Sequence, residues 1–286
     1  MNDLISRFKS RLDLHQSPAH AEVMKKIGWS VDGKPGNHIY YRSLGPLTVA
    51  KHQRPNEIDV ERLKVFRKHH KVLTTYVEPG LGDTYDGGYP VEPFAHSTSS
   101  LVDLAQSGSA LLMSYTQKTR YNITHSLKAN KVNIISTPLP KLKNQELSDF
   151  YALHAEWSKR KNVIGYSRDL LEAVLTSFDK KSTLHLAYDA QGTPHGALLI
   201  LTCDRVSTYY AAFSSTTGYS LYVPTLLTHQ AMLTAKDNGS DIFDFGGTYD
   251  PRYPRMYKKW HGFTKFKEGF NPTTIQYPPT KLHLFW

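Results

Sequence analysis

Between Tyr249 and Phe270 the chain sets Arg252, Arg255, Lys258, Lys259, Lys265 and Lys267 among Tyr253, Tyr257, Trp260 and Phe263. Cations of this kind hold phosphate, and flat rings stack on unpaired bases, so the segment is a candidate RNA contact. The competing reading is an amphipathic surface with rings packed inward and cations left hydrated. The segment alone does not separate the two. Just upstream, Asp244-Phe245-Gly246-Gly247 ends an apolar stretch at a point where glycine permits positive φ and the close approach of a ligand. A plain strand-ending turn fits those residues equally well. Lys118 and Arg120, with Lys128 and Lys131, form a basic run in which Arg120 suits bidentate contact with phosphate; a solvated helix face is the alternative. There is no His-Glu-x-x-His, zinc-like Cys/His spacing, P-loop or Gly-x-Ser-x-Gly elbow. No metal or cofactor is therefore expected, and a serine hydrolase is disfavoured.

The elements that must position these residues alternate in type. Ala19 to Ile27, Glu57 to His69 and a long basic stretch from Ser107 to Asn130 read as helices. Val72 to Val77, Ser99 to Leu104 and Val132 to Ser136 read as strands, and Pro79 to Pro90 as a loop lining a cleft. Thr137-Pro138-Leu139-Pro140 is the best candidate for a domain boundary. Beyond it come helices at Asn144 to Ser158 and Arg168 to Phe178, then strands at Leu184 to Tyr188, Gly196 to Cys203 and Val206 to Phe213. A helix from about Pro224 to Lys236 precedes a strand over Asp241 to Phe245. Three antiparallel strands, a helix and a further strand resemble the core of a GNAT-like N-acyltransferase domain.

Composition bounds the rest. The 286 residues are 40% hydrophobic and 12% aromatic, enough to bury a real core. With 35 Lys and Arg against 25 Asp and Glu, the formal charge of +10 favours an anionic partner. The single cysteine, Cys203, excludes a disulfide framework and is expected to be core. Met1 to Leu14 reads as a short amphipathic helix, and the apolar run Ala197 to Leu201 is far too short for a bilayer. A cytoplasmic protein is expected, with contact at the inner face of a membrane left open.

Three stretches together resemble one family. The first is Leu101-Val102-Asp103-Leu104, with Leu111-Leu112 and Lys118-Thr119-Arg120-Tyr121-Asn122-Ile123. The second is Tyr209-Tyr210-Ala211-Ala212-Phe213-Ser214-Ser215, leading through Ala235-Lys236 to Phe243-Asp244-Phe245-Gly246-Gly247. The third is Phe266-Lys267-Glu268-Gly269-Phe270. In this order, after Gln16-Ser17-Pro18 and Gly28-Trp29, they resemble the Fem-type (FemABX) peptidyltransferases, which extend the peptide bridge of peptidoglycan precursors from aminoacyl-tRNA. The resemblance runs from about Gln16 to Phe270.

It implies an α/β (α+β) chain of two GNAT-like domains with mixed sheets flanked by helices, facing one another across a cleft, and no coiled-coil arm. The first would span 1–136, joined by the returning segment 271–286, and the second 137–270. The implied partners are aminoacyl-tRNA and a UDP-muramyl-peptide or lipid-linked precursor. From the local sequence alone, Phe266 and Lys267 read first as alternating positions of an edge strand; the resemblance reverses this, making Lys267 the catalytic cation and Phe266 the residue that positions the tRNA end. Tyr222, Arg168, Arg120 and Lys25 become precursor contacts, with Asp244, Gly246 and Gly247 as cleft wall. Arg252, Arg255, Lys258, Lys259 and Trp260 become tRNA contacts. His20 and Met24 stand where the family often has Trp and Lys, which puts the form of the precursor in question. The competing functions are an acyl-CoA-dependent N-acyltransferase, whose Arg/Gln-x-x-Gly-x-Gly/Ala turn is missing from Ser214 to Tyr222, and a non-catalytic RNA-binding protein.

Overall fold

Short polar side chains set the helix starts. Ser17, Asp59, Ser107, Thr116 and Ser167 each accept the backbone N–H three residues onward, satisfying a donor that the first turn leaves orphaned. The computed structural model describes residues 2–93, 95–163 and 165–285, so Trp286 lies outside the described residues. The first half runs α1 (Asn2–Lys9), α2 (Pro18–Lys26), β1 (Ser30–Asp32), β2 (Ile39–Leu44), β3 (Leu47–Gln53), α3 (Val60–His69), β4 (Val72–Glu78), β5 (Tyr89–Pro90), β6 (Thr98–Asp103), α4 (Gly108–Ser114) and α5 (Gln117–Ala129). The second continues with β7 (Asn133–Pro138), α6 (Asn144–Lys161), α7 (Arg168–Leu175), β8 (Thr183–Tyr188), β9 (Pro194–Cys203), β10 (Val206–Ser214), α8 (Thr216–Ser220), α9 (Val223–Asp237), β11 (Ile242–Asp244), α10 (His261–Glu268), β12 (Thr273–Gln276) and β13 (Lys281–Leu284).

Two expectations change here. The stretch from Ser107 to Asn130 is two helices, because Tyr115 is extended and Thr116 caps a fresh start. The amphipathic amino-terminal helix stops at Lys9, and Asp13 then caps a 3₁₀ turn over Leu14–Gln16.

The strands form two mixed sheets, in the orders β1-β2-β3-β4-β13-β5 and β12-β6-β11-β10-β9-β8-β7. Each contains one parallel pair among its described ladders, β3 with β4 and β10 with β11. In both, an antiparallel run passes through helix to a strand laid parallel to the run's last member. This shared grammar is a repeat of fold that leaves no readable repeat in sequence. Each half then gives a later strand to the other: beyond β5, β6 pairs with β11, and beyond β12, β13 pairs with β4. Sheet membership therefore does not change at residues 136 and 137. Strands β6, β7 and β12 all lie in the second sheet, and of the carboxyl-terminal segment it is β13 that joins the first.

The second sheet is covered on both faces, and β9 shows the alternation this requires. Leu198 and Ile200 face one cluster with Leu111, Tyr115, Ile123, Leu227 and Phe270, while Leu199 and Leu201 face the other with Phe150, Leu153, Leu171 and Val174. Helix α2 bridges the two halves, placing Val23 against the second sheet and Met24 against Tyr40 of the first. Met24 is thus a core residue that sends no charge into a cleft.

Burial also leaves an acid-sensitive point. His185, on β8, is wholly buried with Nδ1 2.8 Å from Ser136 Oγ, and burial pushes its pKa down to about 3. Its folded value lies below its unfolded one, so its stabilising contribution is complete above about pH 6.5 and is lost as pH falls toward 3, at up to about 1.4 kcal/mol per unit. Calorimetry between pH 7 and 4 should show Tm falling, with a shallower fall for His185→Gln.

Candidate active site

Where the two parallel pairs end, their strands open a cavity of about 350 Å³ whose wall includes Asp13, His15, Arg54, His96, Asp244 and Tyr277. On the second sheet the β10–β11 ladder stops at Thr208 and Asp244, and a bulge between Tyr209 and Ala211 turns β10 away. Phe245 fills the split, packing on Tyr209 and Phe270 with centroids 5.7 and 5.3 Å apart. The chain then turns at Gly246, where φ is +68°. At Gly247 a Cβ would stand 2.4 Å from the Trp260 ring and 2.5 Å from His96 Cβ. Glycine is required there for close packing.

Into this turn reaches Lys267. It sits on α10 and not on an edge strand, so Phe266 and Lys267 diverge by the helical 100° a residue. Phe266 packs into the core against Phe270, whereas Lys267 is buried and its Nζ donates to the Gly247 carbonyl at 2.5 Å. Burial pulls the Lys267 ammonium down to about pH 8, and the nearby Asp244 charge opposes the shift. Asp244 is itself raised by burial, although it accepts hydrogen bonds from Ser99 Oγ and, at 2.8 Å, from Gly246 N. His96 is held well below the ordinary imidazole range by burial and by the Arg54 charge, and its Nε2 has no partner among the described residues. An ammonium, a carboxyl and a neutral imidazole thus meet around one glycine turn.

The opposite wall carries a second charged group. Arg54 lies 3.7 Å from the centroid of the Tyr277 ring and donates to the His96 carbonyl at 2.6 Å. Its Nη1 is 3.7 Å from Asp13 Oδ2. Asp13 Oδ1 lies 2.8 Å from His15 Nδ1, and despite the opposing effect of burial His15 and Arg54 hold this carboxyl well below the usual range. Arg54 adopts a left-handed φ of +48°, a strained conformation of the kind that concentrates at functional sites. Cys203 is half-buried at the cavity edge and not in the core. Its thiol, pushed by burial up to about 12, stays protonated.

Of the residues singled out from the sequence, the fold brings together Lys267, Asp244, Gly246, Gly247 and Trp260. Trp260 packs between Tyr257 and Phe263, at 4.5 and 5.0 Å. Arg255, Lys258 and Lys259 are exposed on the adjoining surface, whereas Arg252 is tied to Asp250 at 2.7 Å. Within the group brought together, Asp244 lines the cavity, and Lys267, Gly246, Gly247 and Trp260 stand behind it; the remaining candidates lie away from this cluster. Lys25 pairs with Glu22 at 2.7 Å on the surface, and Arg168 lies over the Tyr151 ring. Arg120 donates to the carbonyls of Met113 and Tyr115, tying α4 to α5, and Tyr222 precedes α9 with φ +57°. Asp13, His15, Arg54, His96 and Tyr277 were not foreseen. They are isolated residues of loops and strand ends, and only the sheet order makes them neighbours.

This architecture has known counterparts. FemX superposes with a TM-score of 0.80 over 99% of this chain and 95% of that one, at 14% identity. L-PGS from Bacillus licheniformis gives 0.62 over 98% and 91%, at 16% identity. A tandem GNAT protein from the clavulanic acid biosynthesis pathway gives 0.52 over 99% and 95%, at 10% identity. At such identities the likeness is one of fold: two GNAT-like units in tandem. No curated protein matches the sequence. The acetyltransferase (GNAT) domain family matches residues 117–259, half of the chain, and the protein belongs to that family. It is an acyltransferase.

The close packing at the glycine turn is open to test. Gly247→Ala should destabilise the protein by about 1–3 kcal/mol through overpacking against Trp260 and His96. Denaturant titration would measure this, and a quenched or shifted Trp260 emission would place the disturbance at the site.

Proposed function

We propose that the protein is an aminoacyltransferase, moving an amino acid from aminoacyl-tRNA to the peptide-stem amine of a peptidoglycan precursor during bridge formation. The observation that carries this reading is the buried Lys267, held on the Gly247 carbonyl directly behind Asp244 and His96, which line the cavity. The acceptor nitrogen attacks the ester carbonyl, a C–N bond forms, and negative charge gathers on the carbonyl oxygen. Lys267, still cationic near pH 7, stabilises that charge in a low-dielectric site and supplies a proton to the departing ribose hydroxyl. The attacking amine gives up its proton to Asp244, whose raised pKa makes it a better base than an exposed carboxylate. No enzyme nucleophile is needed, because the acyl group arrives activated. The rings of Trp260 and Phe263 and the exposed Arg255, Lys258, Lys259 and Lys265 adjoin the same helix and suit the unpaired tRNA end.

Acyl-CoA is the competing donor. A pyrophosphate would need free backbone amides in the loop between β10 and α9, and there several are spent internally. Ser215 N donates to the His195 carbonyl, Gly218 N to Ser215 Oγ and Tyr219 N to Ser215 O, at 3.0, 3.0 and 3.3 Å. Arg160 adds a clamp on the Ser214 carbonyl and Thr216 Oγ1. His195, bonded to both Asp189 and Ser215, staples this loop to the β8–β9 hairpin.

Lys267→Met should lower transfer of radiolabelled amino acid from tRNA to muramyl peptides by about 10²–10³-fold. Folding should survive, since an apolar replacement removes a buried charge. Wild-type rate should fall as pH rises past about 8, where Lys267 loses its proton. Transfer from acetyl-CoA, with none from any aminoacyl-tRNA, would overturn the reading.

A further inference from the structure

From Asp103 to Glu146 the chain contains no acidic residue between those two, yet it carries Lys118, Arg120, Lys128, Lys131, Lys141 and Lys143. This is one of two acid-free stretches with six cations, the other lying between Asp250 and Glu268, and half of its cations sit on α5. Helix α5 buries Thr119, Ile123 and Ser126, so the face turned away from the core presents Lys118, Tyr121 and Lys128. Among the described residues Lys118, Lys128 and Lys131 have no ion-pair partner, and all three are exposed. Large apolar groups stand out beside them: Met113 is 67% exposed, Leu127 58% and Tyr121 57%. Exposed cations among protruding Met, Leu and Tyr side chains form an interfacial surface, since the charges are attracted to anionic headgroups while the apolar ends enter the acyl boundary.

We propose that the exposed face of α4 and α5 docks the protein on an anionic lipid surface, through Lys118, Lys128 and Lys131 with Met113, Tyr121 and Leu127. RNA would satisfy the cations and stack on Tyr121, whose ring lies parallel to that of His125, but it offers nothing to the aliphatic ends of Met113 and Leu127. Docking here also bears on the cavity. Thr116, the cap of α5, donates its N–H to the Gly269 carbonyl at 3.0 Å and its hydroxyl to the same oxygen at 3.2 Å, two residues beyond Lys267. The membrane-facing helix is thereby bonded to the segment that carries the buried lysine. If the transfer reaction proposed above is correct, this placement favours a lipid-linked acceptor over a soluble one; the docking itself does not depend on that reaction.

Sedimentation with vesicles tests the docking without any substrate. The protein should bind vesicles of phosphatidylglycerol mixed with phosphatidylcholine and not those of phosphatidylcholine alone, and added salt should weaken the binding. The triple variant Lys118→Glu, Lys128→Glu, Lys131→Glu should lose at least about tenfold in affinity. Met113→Ser with Leu127→Ser should weaken it as well, an effect that binding by charge alone would not give. Tyr121→Trp, in an otherwise native protein, should show blue-shifted emission when anionic vesicles are added, which keeps the test open should the charge variant fold poorly. No binding to anionic vesicles, full binding by the triple variant, or no shift from Tyr121→Trp would overturn the proposal. Loss of tRNA affinity in the triple variant, with vesicle binding intact, would make this face an RNA surface instead. Because lipid binding and aminoacyl transfer are read separately, either can fail without the other.

Discussion

Each sheet is completed by a strand from the other half of the chain, and the site depends on that exchange. An antiparallel ladder fixes register through backbone hydrogen bonds, so placing β6 beside β11 sets where the chain before β6 must lie. That chain carries His96, which is therefore laid against the glycine turn after β11. The reverse exchange sets β13 beside β4, and the segment leading to it carries Tyr277 against Arg54. Neither half could slide or rotate against the other without breaking both ladders. The cavity wall is thereby held by secondary structure on both sides, and not by side-chain contacts alone.

Charge inside this frame is arranged with little to spare. Arg7 bonds to Asp103, Arg11 to Asp241 and Arg54 faces Asp13, so the arginines along the amino-terminal segment and the cavity are all engaged. Lys267 differs, because its closest described partner is a carbonyl and its carboxyl neighbour Asp244 is bonded to Ser99 and Gly246. Burial then lowers the lysine and raises the acid, the pattern expected where groups are tuned for proton and charge transfer. The cations left without partners on α5 lie outside the cavity, at the surface.

Much of the fold was legible because local signals were strong. The apolar runs of β8 to β10 marked an antiparallel set, and the segment after it marked a helix and a strand. Two of the misreadings involve a cap. Thr116 opens a new helix inside a continuous basic stretch, and Asp13 ends the first helical segment in a 3₁₀ turn. Phe266 and Lys267 were readable as alternating strand positions because two residues cannot distinguish a period of 2 from one of 3.6.

The sequence by itself determined the family signals, the two-sheet class, the identity of the lysine and the glycine turn, and the surplus of positive charge. These are properties of residue type and short spacing, which chain connectivity preserves. Only the tertiary structure decided that Asp13, His15, Arg54, His96 and Tyr277 share a cavity with Asp244, that Arg120 is spent on helix ends and that Met24 is core. Those residues are separated by up to a few hundred positions along the chain, and their meeting follows from a strand exchange encoded in no local pattern.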